Sequence, residues 1–250
     1  MLLFYIRHGD PLYDPDLITP LGEAQAESVA HRLALFGVDE IYSSPSNRAL
    51  QTAAPACRLL GKEPVLLDFL NENLLGGLQI PSETAKTKMD WVWSHPVYSR
   101  IMTGRDVREL GDAWYRHPAL EPFHFEKVIL PINEQLDALL ASQGYTHDPE
   151  KGLYQVTGHN EEKRIAIFAH ECIGKIVMSH LLDVPFPSYA EHFDMHTTGL
   201  TVVFFDEGVL TDERMPRYAR ARVLTLSNDS HLYRDGLSMV HRFTHLRIEY

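Results

Sequence analysis

The sequence feature that most constrains the fold is a set of short, continuous apolar runs separated by helical patterns. Runs of this length, without polar alternation, indicate strands that are buried on both faces of a sheet. Six segments have this character: 2–6, 38–42, 65–68, 164–169, 200–206 and 222–226. They predict a parallel or mixed sheet that is covered on both sides.

Four helical patterns lie between these runs. The first begins at Thr19 and Pro20, which suit the N-cap and the first helical position, and ends before Gly37. The others extend over about 46–60, 131–142 and 171–182. Alternating strands and helices predict an α/β fold, a three-layer sandwich with a mostly parallel central sheet and helices on both faces.

The stretch from about 77 to 163 interrupts this alternation. It contains helical segments, a polar run over 145–162 that predicts a hairpin or loop, and all three tryptophans, Trp91, Trp93 and Trp114. We expect the whole chain, 1–250, to form a single domain, with an inserted helical and loop region at about 77–163. The tryptophans fit a lid over a pocket and the core of the insertion equally well.

Composition limits the classes of partner. The chain has a formal net charge of -11, and an acidic surface repels nucleic acid and anionic membranes at long range, so neither is expected as a partner. Two cysteines, Cys57 and Cys172, without a C-x-x-C motif indicate neither a disulfide framework nor a zinc site. The apolar opening segment stops at Arg7, too early for a secretory signal or a membrane span, so we expect a cytoplasmic location.

The residues most suggestive of chemistry are Arg7, His8 and Gly9, at the end of the first predicted strand. Ligands of open α/β sheets bind beyond the carboxyl ends of the strands, so a histidine at this position faces the crevice. Gly9 allows the backbone to turn tightly beside a ligand. A second histidine, His170, follows the fourth predicted strand in the same way.

The order of several motifs resembles the histidine phosphatase superfamily, which includes the cofactor-dependent phosphoglycerate mutases. The motifs are Arg7-His8-Gly9, Leu21-Gly22, Ser43-Ser44-Pro45 with Arg48 and Thr52, Leu70-Asn71-Glu72 with Gly76, Ala169-His170, and Ser227-Asn228-Asp229-Ser230-His231-Leu232. The resemblance spans most of the chain outside 77–163. It implies the phosphatase branch of a phosphoglycerate mutase-like fold.

The resemblance implies roles for five residues. His8 is the nucleophile, and its neutral imidazole can attack phosphorus if the other ring nitrogen keeps its proton, for instance by donating to a backbone carbonyl. Arg7 and Arg48 bind phosphate oxygens, which the guanidinium fork matches in geometry. His170, when protonated, is a further catalytic and phosphate-binding donor, and Glu72 protonates the leaving oxygen.

Two departures from the family pattern affect this interpretation. Glu171 stands where the family usually has glycine after the second histidine, so an acidic side chain near the phosphate must face away or alter the pocket. The segment 10–16 is shorter than in the mutases and lacks their pattern, which weakens a mutase function more than a phosphatase function. Asp10 and Glu171 are weaker alternatives to Glu72 as the acid.

The sequence thus predicts an enzyme that hydrolyses small phosphomonoesters through a phosphohistidine on His8, with no cofactor and no metal. One alternative is a mutase that returns the phosphoryl group to its substrate, and another is an inactive phosphate-binding or scaffold protein. A metal-dependent phosphatase is a weaker hypothesis, based on the spacing of His192 and His196, which His241 and His245 share.

Overall fold

The computed structural model describes residues 1–83, 88–158, 162–209 and 216–238. Its strands are β1 (Leu2–Arg7), β2 (Pro11–Leu12), β3 (Leu17–Ile18), β4 (Glu40–Ser43), β5 (Pro64–Leu66), β6 (Gln79–Pro81), β7 (Met89–Trp91), β8 (Tyr145–Asp148), β9 (Leu153–Val156), β10 (Arg164–Ala169), β11 (Leu200–Asp206) and β12 (Tyr218–Asn228). Its helices are α1 (Pro20–Phe36), α2 (Asn47–Leu60), α3 (Pro96–Met102), α4 (Arg105–Glu109), α5 (Phe125–Ser142), α6 (Glu171–Leu181), α7 (Phe186–His192) and α8 (Ser230–Arg234). None of the helices described is both long enough and apolar enough to cross a membrane.

The central sheet has the strand order β5-β4-β10-β1-β11-β12-β9-β8. Strands β5, β4, β10 and β1 pair in parallel, whereas the pairings from β1 to β11 and onward to β8 are antiparallel. The predicted α/β fold is confirmed, with parallel pairing limited to one half of the sheet. The connections 149–152 and 207–217 are shorter than the dozen or so residues that a parallel crossover needs, so the strands they join pair antiparallel.

Both faces of the sheet are covered, as the alternation along β1 shows. Phe4 and Ile6 belong to an apolar cluster with residues of α1 and α2, whereas Leu3 and Tyr5 belong to a second cluster with residues of α5 and α6. All four side chains are fully buried. Because successive residues of a strand point to opposite faces, a run without polar residues requires a helical layer on each side.

Local sequence determines the bounds of α1. The Thr19 side chain accepts a hydrogen bond from the Gly22 amide at 3.1 Å, and Pro20 is the first helical residue. Gly37 ends the helix with a φ of 71°, and its amide donates to the Leu33 carbonyl. The predicted N-cap and the predicted end of this helix are therefore confirmed.

Helix α5 begins earlier than the sequence predicts. The sequence predicts a helix that begins at about Pro131, but the helix starts at Phe125 and contains Pro131 in its interior. Phe125 and Ile129, which precede the proline, are buried in the same core as β1. Their burial offsets the one backbone hydrogen bond that the proline cannot donate.

The described part of the segment 77–163 adds β8 and β9 to the sheet and packs aromatic side chains into its core. Trp93 and Trp114 are buried in the apolar cluster that contains Tyr5, and Trp91 stacks on Trp93 with ring centroids 5.2 Å apart. The ring centroids of Trp114 and Phe125 are 4.8 Å apart. The tryptophans thus form core in the described part of the chain, while the single-domain organisation with an insertion at 77–163 stays a prediction.

Candidate active site

The site lies at the edge where three parallel strands end. In the register of the sheet, Arg7 of β1 lies beside Ala169 of β10, and Phe168 lies beside Ser43 of β4. The residues that follow these strands are therefore neighbours. The ring centroids of His8 and His170 are 5.3 Å apart, and both side chains are buried.

His8 is held as a neutral imidazole. Its Nδ1 lies 2.8 Å from the carbonyl oxygen of Gly9, which makes Nδ1 the protonated nitrogen and leaves the lone pair on Nε2. Burial, together with the positive charge of Arg7 and the neighbouring His170, lowers the pKa of His8 well below its ordinary value. Gly9 is required for this turn, because a Cβ atom there would lie 2.7 Å from the carbonyl oxygen of Gly22.

Arg48 lies in the first turn of α2 and is buried. Its Nη1 donates to Asp16 Oδ1 at 2.7 Å, and its Nη2 donates to Glu72 Oε2 at 3.1 Å. The guanidinium carbon lies 5.5 Å from the centre of the Tyr13 ring. Two carboxylates thus fix the orientation of the guanidinium group that the sequence assigns to phosphate.

Arg7 is paired with the residue that departs from the family pattern. Its Nη1 lies 2.5 Å from Glu171 Oε2 and also donates to the Met195 carbonyl. Burial and the nearby Asp194, opposed by Arg7, raise the pKa of Glu171 to about 7. Glu171 therefore faces Arg7, which favours the second of the two outcomes that its position in the sequence allows.

His170 is oriented by two serines. Its Nε2 lies 2.9 Å from Ser44 Oγ and 3.2 Å from Ser46 Oγ. Its Nδ1 lies 3.9 Å from Glu72 Oε2. Burial, opposed by the charge of Glu72, lowers the pKa of His170 to about 4. The ring is therefore neutral near neutral pH, and a bound anion is needed to give it the proton that the sequence-based role assumes.

Glu72 connects the second histidine to Arg48. Burial raises the pKa of this carboxyl, but the charges of His170, Arg48 and Arg7 lower it more, so the pKa falls below its usual range. A phosphate dianion would oppose this effect, because like charge favours the protonated acid. Asp10, the alternative acid, accepts a hydrogen bond from the Thr19 hydroxyl at 2.7 Å and so helps to fix the start of α1.

Three buried nitrogens surround His8 without a hydrogen-bond partner among the described residues. They are the Nε atoms of Arg7 and Arg48 and the Nδ1 atom of His170. Buried polar atoms in folded proteins are almost always hydrogen-bonded, so a group of such nitrogens fits a ligand with several acceptor oxygens. A phosphate group has this chemistry.

The sequence alone assigns no role to Asp16, Ser44 or Ser46. The serine motif belongs to the resemblance, but only the structure shows that Ser44 reaches His170. Asp16 lies in the segment 10–16, which departs from the family pattern. Strands β2 and β3, which pair around it, place Asp16 beside Arg48.

The alternative metal hypothesis receives no support from the described residues. Among them, ligand atoms of three potential metal-binding side chains converge only at Asp137, His147 and His180, and His192 and His196 are not part of this group. His241 and His245 lie outside the described residues.

The first part of the chain, which carries most of the strand-end residues, is similar to a known protein family. Residues 3–114 match the family model described as histidine phosphatase superfamily, branch 1. The match includes Arg7, His8, Arg48 and Glu72. The resemblance that the sequence motifs indicate is therefore confirmed over residues 3–114, somewhat less than half of the chain.

Particular relatives extend this comparison. A Hydrogenobacter thermophilus protein named as a candidate phosphoserine phosphatase is 37% identical over 84 residues, which are 30% of this chain and 41% of that protein. An Entamoeba histolytica phosphoserine phosphatase structure, in complex with 3-phosphoglyceric acid, covers 92% of this chain and 98% of its own at 22% identity, with a TM-score of 0.54. A mycobacterial glucosyl-3-phosphoglycerate phosphatase covers 91% and 98% at 19% identity, with a TM-score of 0.55.

Proposed function

We propose that this protein is a phosphatase that hydrolyses small phosphomonoesters through a phosphohistidine on His8. The hydrogen bond between His8 Nδ1 and the Gly9 carbonyl, at 2.8 Å, carries the proposal. It leaves the Nε2 lone pair available to attack phosphorus without prior loss of a proton. The arginines and second histidine around this ring supply donors for the oxygens on which transition-state charge develops.

In the first half-reaction, Nε2 of His8 forms a bond to phosphorus while the ester P–O bond breaks. Arg7 and Arg48 bind the nonbridging oxygens through nitrogens that have no partner among the described residues. The leaving oxygen takes a proton from Glu72, which acquires it when the dianion raises the pKa of this carboxyl.

In the second half-reaction, water attacks the phosphohistidine. The Glu72 carboxylate takes a proton from the water, the P–N bond breaks, and inorganic phosphate leaves. His8 returns to the tautomer that Gly9 holds. Each half-reaction uses the same acid–base group, with the proton returned to its starting place.

The relatives indicate which substrates to test first. The Entamoeba phosphoserine phosphatase was crystallised with 3-phosphoglyceric acid, and a histidine-to-alanine mutant of it with phosphoserine. The mycobacterial neighbour is a glucosyl-3-phosphoglycerate phosphatase. We therefore choose small phosphorylated acids as the first substrates to assay. The names of the relatives do not identify the physiological substrate.

The test is His8→Ala, with His192→Ala as the matched control at an exposed histidine outside the site. We expect His8→Ala to abolish phosphate release. The circular dichroism spectrum should stay native, because His8 follows the end of β1 and belongs to neither apolar cluster. Wild type quenched under alkaline conditions should carry phosphate on His8 by mass spectrometry. Transfer of the label to a second phosphorylated acid, in place of water, would identify a mutase.

Two results would contradict the proposal. Activity that survives His8→Ala would exclude His8 as the nucleophile. A phosphate label on any other residue would exclude the mechanism even if the protein hydrolyses phosphate esters.

A further inference from the structure

A second histidine cluster lies away from the strand-end site, where α5, β8 and α6 meet. Asp137 of α5, His147 of β8 and His180 of α6 each offer a ligand atom, and these atoms lie within 4.8 Å of one another. His180 Nε2 lies 2.8 Å from Asp137 Oδ1, and His147 Nδ1 lies 3.6 Å from the same oxygen. Two imidazole nitrogens therefore converge on one carboxylate oxygen.

A fourth residue, Asp183, contacts His147 and fixes the orientation of its ring. The other ring nitrogen of His147, Nε2, lies 3.0 Å from Asp183 Oδ1, just beyond the end of α6. The ring also stacks on Tyr154 of β9, with centroids 4.9 Å apart. When Nε2 donates to Asp183, the lone pair of His147 is on Nδ1, which faces Asp137. A carboxylate behind a histidine in this way is a regular feature of metal sites.

We propose that Asp137, His147 and His180 bind one divalent metal ion of the zinc class, which fastens the β8–β9 hairpin to helices α5 and α6. Ligand atoms around tetrahedral zinc are roughly 3.4 Å apart, given bonds of about 2.1 Å. The separations in the cluster require only small side-chain rotations to reach this geometry. Water completes the coordination at the fourth position.

The donor set and the charge select the kind of ion. Two imidazoles and one carboxylate suit zinc and the neighbouring transition metals, whereas magnesium and calcium prefer oxygen ligands. With both rings neutral, Asp137 and Asp183 contribute two negative charges, which a divalent ion balances. Protons that the imidazoles carry before binding are released to solvent.

The exposure of the cluster also suits a metal site. The His147 side chain is 6% exposed and that of His180 is 16% exposed, so both rings are held in place by packing. The Asp137 side chain is 36% exposed, which leaves a path for an ion from solvent. His180 lies about 15 Å from His170 along α6, at 1.5 Å per residue, so the ion is structural and takes no part in the proposed phosphate chemistry.

The experiment uses the full chain, without a histidine tag and stripped by a chelator. Titration with Co²⁺ should produce visible absorption that saturates at one equivalent, and Zn²⁺ should displace it. Zn²⁺ at about a hundredfold excess over its Kd should raise the Tm by roughly 5–10 °C. Neither readout depends on enzymatic activity, so the outcome is independent of the proposed function.

Three variants and one control locate the ion. His147→Ala and His180→Ala should remove the Co²⁺ absorption. Asp183→Asn should weaken Co²⁺ binding about 10- to 100-fold, which is the usual effect of losing a group that is hydrogen-bonded to a metal ligand. His192→Ala, the control, should bind as wild type does. The conservative Asp183→Asn keeps the test decisive if an alanine variant fails to fold.

The proposal would be overturned by wild type that gives neither Co²⁺ absorption nor a Zn²⁺-dependent Tm at millimolar metal. It would also be overturned if folded His147→Ala and His180→Ala bind Co²⁺ as tightly as wild type. Loss of binding in His192→Ala, with retention in the cluster variants, would move the site to His192 and His196.

Discussion

The strand-end site and the Asp137–His147–His180 cluster contain the same residue types with opposite electrostatic properties. At the strand ends, burial and nearby arginines lower the pKa of His8, and burial lowers that of His170 to about 4. In the cluster, hydrogen bonds to Asp137 and Asp183 raise the pKa of His147 to about 9. The first environment produces neutral rings and the second favours positive charge.

The difference shows that burial and the charge of the neighbours together determine the charge of a histidine. Deeply buried rings near guanidinium groups stay neutral, and in the proposed mechanism the arginines supply the positive charge for an anion. Rings beside carboxylates attract cations, whether these are protons or metal ions. We therefore expect substitutions at the strand ends to change catalysis, and substitutions in the cluster to change metal binding and stability.

After His8→Ala, we expect Glu72→Gln to cause the largest loss of activity that distinguishes the two regions. An alkyl phosphate needs a proton on its leaving oxygen, whereas nitrophenyl phosphate largely does not. The variant should slow alkyl esters by about 10²- to 10⁴-fold, the range of general acid catalysis, and nitrophenyl phosphate much less. Steady-state kcat/KM with both esters is the measurement, because it reports the first half-reaction and not the hydrolysis of the phosphohistidine, which both esters share.

Asp137→Asn is the control for Glu72→Gln, because it removes a carboxylate from the other cluster and should leave kcat/KM for both esters unchanged. An equal loss of kcat/KM with the two esters would show that Glu72 binds substrate or supports Arg48 and is not the acid. Asp10 would then be the next residue to replace.

The sequence predicts that His8 and His170 lie together at the strand ends, because this placement depends on local features, while the roles of the two residues stay predictions. His8 and His170 each follow a buried apolar run, and parallel strands bring their carboxyl ends to one edge. The nitrogen of His8 that keeps its proton also depends on an adjacent residue, Gly9. The position of a side chain that directly follows a strand end can therefore be predicted before any tertiary contact is known.

The sequence does not predict the Asp137–His147–His180 cluster, because its residues meet only through packing. Asp137 and His180 lie on different helices, and His147 lies in a segment predicted only as a hairpin or loop. The start of α5 and the antiparallel half of the sheet differ from expectation for the same reason. In each case the structure depends on a buried apolar surface or on a short connection, and the local sequence pattern does not reveal this dependence.

Ser44→Ala tests how strongly the orientation of His170 affects catalysis. Ser44 Oγ lies 2.9 Å from His170 Nε2. Loss of one such hydrogen bond, worth about 0.5–1.5 kcal/mol, should lower kcat up to about tenfold and leave KM nearly unchanged. Ser46→Ala, which removes the longer contact of 3.2 Å, should have a smaller effect. Equal effects, or a change in KM alone, would contradict a positioning role for Ser44.

A smaller effect, with a pH dependence, is expected for Glu171→Gln. In the proposed mechanism Glu171 competes with phosphate for Arg7. The variant should therefore have a KM about threefold lower than that of wild type above pH 7. This change is smaller than the roughly tenfold change in an equilibrium constant that one pKa unit represents. Below about pH 7 the wild-type carboxyl is protonated and its ion pair with Arg7 weakens. The ratio of the two KM values should therefore approach one as pH falls, and titration of the substrate cancels from this ratio. A higher KM in the variant would mean that Glu171 positions Arg7.

The smallest effect on activity is expected from removal of metal. In the proposed mechanism Arg7, Arg48 and the histidines balance the charge of a bound phosphate, so kcat and KM should survive a strong chelator. The same treatment of metal-loaded protein should lower the Tm, because the ion stabilises the folded state by mass action. Activity that is lost with the chelator and restored by zinc would place a metal in the chemistry. Retained activity with a lower Tm would separate the two clusters by function, because the neutral rings would act on phosphate while the carboxylate-bound rings hold an ion.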